Sequence, residues 1–260
     1  LIILENQFNF ERNMTLTAGI MKKYLKITVF LFFIIFLVHN TAQSQAIKDI
    51  ETLKSELDTI SAQQLPINSI ALTPDSNWVI LYGDIGYSYT NLPPKIVEKL
   101  SLLNKEEKVL NDIDFYGASK VILYEDNAFY SDSLPETLST ALSMLNKNGR
   151  KITGMNYAPN GAWIILYNQN SYFQNNIPGS CRKKIENLAY RDQIIKQVAF
   201  CDKAWVVFYS FAGYSYSGIP EKAAKQIDKL YKENHELNKI FFLANHWVIV
   251  YDSYKYVSDF

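Results

Sequence analysis

One landmark recurs along this chain at a nearly fixed step. Tryptophan stands at 78, 163, 205 and 247, and Lys120 fills the one missing slot, so the steps are 42, 43, 42 and 42 residues. No tryptophan lies outside this column. Four residues later come Tyr82, Tyr124, Tyr167, Tyr209 and Tyr251, and five further on Tyr87, Phe129, Tyr172, Tyr214 and Tyr256. Leu92-Pro93, Leu134-Pro135, Ile177-Pro178 and Ile219-Pro220 follow. A period of this length, held over five copies with almost no change in length, means one supersecondary unit stacked on itself.

Inside a unit the hydrophobic period changes. Before the Trp column run alternating pairs: Ile70/Leu72, Ile113/Phe115, Met155/Tyr157, Val198/Phe200 and Ile240/Phe242. They predict a half-buried strand with one polar face. After a polar turn ("TPDSN", "APNG", "CDK") comes a "WVIVY"-type run, apolar on both faces, as in a central strand covered on both sides. The Tyr-rich stretch beyond it predicts a third strand, on aromatic enrichment alone. Ile/Leu-Pro then opens a helix, with Pro in the first turn, where its missing N–H costs nothing. Leu100, Leu142, Ile185 and Ile227 recur in that helix, with Leu103, Leu145, Leu188 and Leu230 three residues on and Ile96, Leu138, Cys181 and Ala223 four before. That row is a single apolar stripe.

The ends set the count. The fifth unit stops at Phe260 without a helix, whereas "IKDIETLKSELDTIS" precedes the first strand and puts Leu53, Leu57 and Ile60 in register with Ala223, Ile227 and Leu230. Five complete β-β-(β)-α units result, an α+β repeat cut between a strand and its helix. An open stack needs polar caps, yet the last unit, "IFFLANHWVIVYDSYKY", is as apolar as the inner ones. The expectation is a five-fold ring in which the N-terminal helix completes the last unit, giving a monomer. The alternative is a short open solenoid that dimerises through its ends. Closure of this kind resembles that of β-propellers, and five α/β units are similar in count to penteins; the motifs of neither family are present.

Residues 21–46 read "MKKYLKITVFLFFIIFLVHNTAQSQA". Lys22, Lys23 and Lys26 precede the apolar run Ile27–Val38, and Ala42-Gln-Ser44 and Ser44-Gln-Ala46 offer small-x-small cleavage sites. This is the pattern of a secretory signal peptide, and the run is well short of the ~20 apolar residues of a membrane span. Residues 1–20, upstream of Met21, read as a mis-called start, which leaves 47–260 as one repeat domain, exported to the periplasm or beyond the cell. That domain carries 22 basic and 24 acidic side chains. So even a balance offers no electrostatic footprint for nucleic acid.

A residue type present in every unit reads as scaffold, and one confined to a single unit is free to act. "GYSYSG" at 213–218 faintly resembles a serine-nucleophile loop, but Ser215 has its copy at Ser88 between strand tyrosines, which makes it structural. His235 and His246 are isolated and lack carboxylates at ligand spacing. Cys181 and Cys201 form an even pair in an exported chain, so a disulfide is chemically allowed; small apolar filler is the other reading. No phosphate loop, calcium pattern or paired catalytic carboxylates stand out.

The candidate ligand-binding residues are the variable turns. One set, before or in the Trp column, is Asp75, Asn77, Lys120, Asn160, Lys203 and His246. The other, between the second and third strands, is Asp84, Asp126, Gln169 and Asn170. Equivalent loops of a repeat share a face, so each set should converge on one rim. The leading expectation is an exported, non-enzymatic module that binds a protein or a carbohydrate, without cofactor or metal. A hydrolase of envelope or extracellular polymers and a structural assembly component are the alternatives.

Overall fold

The computed structural model describes residues 50–260. The expected signal peptide and the upstream stretch lie outside the described residues. Within them the unit is three antiparallel strands and a helix, five times over. Helix α1 covers residues 50–62. The first sheet is β1 (Ile67–Leu72), β2 (Trp78–Tyr82) and β3 (Gly86–Tyr89), followed by α2 (Pro94–Lys105). The second is β4 (Leu110–Tyr116), β5 (Ser119–Tyr124) and β6 (Ala128–Asp132), followed by α3 (Glu136–Lys147). The third is β7 (Ile152–Tyr157), β8 (Trp163–Tyr167) and β9 (Ser171–Asn175), followed by α4 (Gly179–Tyr190). The fourth is β10 (Ile195–Cys201), β11 (Ala204–Tyr209) and β12 (Gly213–Ser217), followed by α5 (Glu221–Lys232). The fifth is β13 (Leu237–Leu243), β14 (His246–Tyr251) and β15 (Lys255–Ser258). The third strand, argued from aromatics alone, is present in every unit.

Each helix is wedged between two sheets. Ile96, Leu100 and Leu103 of α2 share a core with Val79 and Leu81 of β2 on one side and Leu110, Ile113 and Ile122 on the other. Helices α3, α4 and α5 do the same between successive sheets. Helix α1 packs Leu53, Leu57 and Ile60 against Ile67, Ile70, Trp78 and Ile80 of the first sheet and Phe241, Leu243, Val248 and Val250 of the fifth. Middle strands feed two cores: Trp78 and Ile80 face one, Val79 and Leu81 the other. That is why these runs are apolar on both faces, and Trp78, Trp163, Trp205 and Trp247 are all buried in them.

Two local details differ from expectation. The sequence predicts proline in the first helical turn, but Pro93, Pro135, Pro178 and Pro220 are the N-caps, with φ near −54° and ψ of 131–140°. The fixed proline φ suits the extended N-cap as well as the helix, and only Pro94 lies inside its helix. The first strand of each unit is also not half-solvated. A register shift sits at the same place in β1, β4, β7, β10 and β13, after Ile67, Leu110, Ile152, Ile195 and Leu237. Beyond this bulge the supposedly polar face is turned to the neighbouring unit, so that Ser69, Asp112 and Gln197 are buried.

First strands of neighbouring units belong to separate sheets but are tied by side chains reaching backbone. Asp112 Oδ2 accepts the Met155 N–H at 3.0 Å. Gln197 Oε1 accepts the Ile240 N–H at 2.6 Å, and Lys239 Nζ donates to the Asn68 carbonyl. A second tie repeats at the other end of the strands. The N–H groups of Leu110, Ile152 and Ile195 donate to the carbonyls of Asp84, Asp126 and Gln169 in the preceding unit. The Ile67 N–H donates to Ser253, the residue of the fifth unit in that same column, at 3.0 Å.

Candidate functional site

Antiparallel pairing decides where the two sets of turn residues go. In β1 and β2, Ile67 pairs with Tyr82 and Leu72 with Trp78. The turns after the first strands therefore lie at one end of the sheets and the turns after the middle strands at the other. The two candidate sets are on opposite ends.

On the end that carries the turns after the first strands, called the hairpin end, Asp75, Asn77 and Lys120 meet in one pocket of about 330 Å³ with Thr73, Phe115 and Pro93. Lys120 is held there by the Ala118 carbonyl at 3.1 Å and by Asp132 at 3.5 Å. Asn160 lines a separate and wider depression of about 570 Å³ with Gln174, Asn175, Asn176 and Arg182. Its side-chain oxygen accepts the Ala162 N–H, shaping its own turn. Lys203 is exposed at the tip of the fourth hairpin. His246 is engaged with the C-terminal tail: Nδ1 lies 3.3 Å from Asp259 Oδ1, which also accepts the Trp247 N–H, and its ring meets Phe260 edge-on.

On the opposite end, Asp84, Asp126 and Gln169 supply the carbonyls that tie one unit to the next. The Asp126 carboxylate pairs with Lys151 at 2.9 Å, and Asn170 donates to Asp192 at 2.9 Å. These four residues have identified scaffold contacts.

Cys181 and Cys201 are both free and belong to different cores: Cys181 to the one around α4, Cys201 to the one around α5. Burial pushes the Cys181 thiol up to about 12, and burial followed by the Asp202 charge raises Cys201. Both behave as apolar filler.

The sequence reading missed a depression that holds a carboxyl group. A depression of about 210 Å³ opens at the hairpin end between the first strands of all five units. One column contributes Ala71, Asp114, Asn156, Ala199 and Phe241, and the next position contributes Leu72, Phe115, Tyr157, Phe200 and Phe242. Asp114 is the sole charged residue lining it. Its Oδ1 accepts the Phe115 N–H and its Oδ2 the Tyr157 N–H, both at 2.8 Å. Burial pushes its carboxyl from 3.8 up to about 7; the Tyr157 N–H opposes the rise and the nearby Asp112 carboxylate adds to it.

Asp112 itself does not line the depression. It is buried and accepts from Ser69 Oγ at 2.6 Å, from its neighbour's N–H on Ile113 at 3.0 Å and from Met155. A signal for this site existed: aligned by the 42-residue period, Asp112 and Asp114 have no acidic counterpart in any other unit. The assumption of a solvated strand face hid it.

Among the described residues no group of three His, Cys, Asp or Glu side chains is placed to hold a metal ion, and no helix is long and apolar enough to cross a membrane. No protein-family model matches the chain, and no curated protein matches it. Among solved structures the chain is similar to one described as "YCF48 bound to D1 peptide", at 11% identity over 73% of this chain and 76% of that one, with a TM-score of 0.34.

Proposed function

We propose that this chain is an exported, non-enzymatic binding module, built as a five-membered ring, that takes a protein or carbohydrate ligand on its hairpin end. The ring rests on the tie that repeats between units: the same strand-to-turn hydrogen bond joins units one to two, two to three, three to four, and five to one. Helix α1 closes the count, since it fills the fifth wedge between the last sheet and the first. Truncating Leu57 to Ala should loosen that seam by about 2–5 kcal/mol. Hydrogen exchange should then show lost protection in β1–β2 and β13–β14 together; loss confined to β1–β2 would favour the open solenoid.

The observation that carries the binding reading is the clustering at the hairpin end. Asp75, Asn77 and Lys120 from two units share one pocket, and the central depression opens at the same end. In the opposite set Asp84, Asp126 and Gln169 lend backbone carbonyls to the ties between units, and the Asp126 and Asn170 side chains pair with Lys151 and Asp192. Export rests on the N-terminal pattern of residues 21–46. A glycoside hydrolase usually needs two carboxyl groups on the substrate, and Asp112 is sequestered while Asp114 is the one carboxyl that lines the depression. An assembly role through apolar ends lacks its surface, because Val248 and Val250 are 0% exposed. The test is a peptide-library and glycan-array screen with the full chain, repeated with Asp75→Ala/Lys120→Ala and with Asp126→Ala/Asn170→Ala. Binding lost only in the first pair supports the reading; loss only in the second, or no ligand in either class, overturns it.

A further inference from the structure

We infer that the central depression is a receptor for a single organic ammonium group, such as a lysine side chain presented by a protein ligand. This rests on the binding reading above and names the chemistry of its deepest point. Three features of the depression converge on it. The first is charge: Asp114 supplies the one carboxyl lining the walls, and no Lys, Arg or His lines them.

The second is the wall. Half-buried Tyr116 and Phe242 line the depression together with Tyr157, Tyr116 stacks on Tyr157 with ring centroids 5.3 Å apart, and Phe115, Phe200 and Phe241 back the wall from the cores they belong to. Aromatic faces attract a cation through their quadrupole, and the attraction grows when the cation leaves water. An anion gains nothing from such a wall. A neutral hydroxylated ligand would leave the Asp114 charge without a counter-charge.

The third is size and occupancy. About 210 Å³ is below the ~300–1,000 Å³ of sites for drug-sized ligands, but it suits one slender alkyl chain with a charged tip. Asp114 spends one hydrogen bond per oxygen on the Phe115 and Tyr157 N–H groups. A carboxylate has about four acceptor directions, so it keeps capacity for an ammonium. Those two backbone bonds also hold the carboxylate in position before the ligand arrives.

The test uses the full chain and two short peptides that differ in one charge: acetyl-Gly-Lys-Gly-amide and the same peptide with Nε-acetyl-lysine. Binding is followed by two-dimensional amide NMR at pH 8. The lysyl peptide should bind at least tenfold more tightly, the scale of one charge-assisted hydrogen bond, and should shift the amides of Phe115 and Tyr157. Asp114→Asn should abolish the difference between the peptides; its fold is checked from the same spectra. In the wild type the preference should shrink at pH 5.5 as the carboxyl takes a proton. Asp112, Tyr116 and Tyr157 are the other titratable groups around it, while β1, β10 and β13 bring Ala71, Ala199 and Phe241. Equal affinity for both peptides, shifts away from the depression, or no binding of either peptide overturns the ammonium inference. Such a result leaves the wider binding reading intact if the library screen still yields a hairpin-end ligand.

Discussion

Replacing Asp114 with Asn should invert the stability order of wild type and variant as pH rises. The folded carboxyl titrates at about 7 against 3.8 for an unperturbed one, mainly because it is buried. Its folded pKa is therefore the higher of the two. Between about pH 4 and pH 7 the folded state binds more protons than the unfolded state, and stability from this group falls as pH rises through that window. The contribution is fully present below the unfolded pKa and gone above the folded one. At 1.36 kcal/mol per pH unit, an interval of about 3 units amounts to about 4 kcal/mol. Asn does not titrate, but its amide accepts with only one of its two ends, so one of the Phe115 and Tyr157 N–H groups loses its partner at a cost of about 1–3 kcal/mol. The variant should thus be less stable than wild type by about 1–3 kcal/mol near pH 4 and more stable by about 1–3 kcal/mol at pH 8. Urea unfolding followed by tryptophan fluorescence at pH 4.5, 6 and 8 measures the difference, and other titrating groups cancel between the two proteins. A difference that stays constant across the three pH values would refute the argument, since the Asp114 carboxyl would then be titrating alike in both states.

Other perturbations test the scaffold. Trp205→Ala empties a site that is 5% exposed and should cost about 3–5 kcal/mol in chemical denaturation; a neutral result would mean the column is not core. The Trp205 Nε1–H donates to Ser180 Oγ at 3.0 Å, whereas Trp247 Nε1 is buried without a partner and the residue equivalent to Ser180 there is Lys222. Lys222→Ser should accordingly raise stability by about 1 kcal/mol, read as a higher urea midpoint, and Ser180→Ala should lower it by a similar amount. Helices α2 and α3 both end through a left-handed residue, Glu107 at φ +54° and Gly149 at φ +59°. Glu107→Gly relieves the Cβ clash at that cap and should stabilise by about 0.5–1 kcal/mol in thermal or urea melts.

The repeat period alone determined most of the architecture: five units, the order of strands and helix in each, and the apolar stripe of the helices. Such features are legible because each depends on local periodicity, and five aligned copies average away the noise of any one. Counting matches Leu53, Leu57 and Ile60 to Ala223, Ile227 and Leu230, and the three belong to one core cluster with Val248 and Val250. What periodicity could not decide is which way a face turns. The alternation around Ile113 and Phe115 told apolar from polar correctly, yet the polar side of β4 looks inward, because the first strands of the adjacent units cover it. Asp112 and Asp114 accordingly bond the Met155 and Tyr157 N–H groups, each from a residue 43 positions away. The same holds for the cysteines, an even pair by count but divided between two cores by the packing of α4 and α5. Burial, a raised carboxyl pKa and a shared wall of aromatic rings are properties of several units at once, so no single copy of the repeat encodes them.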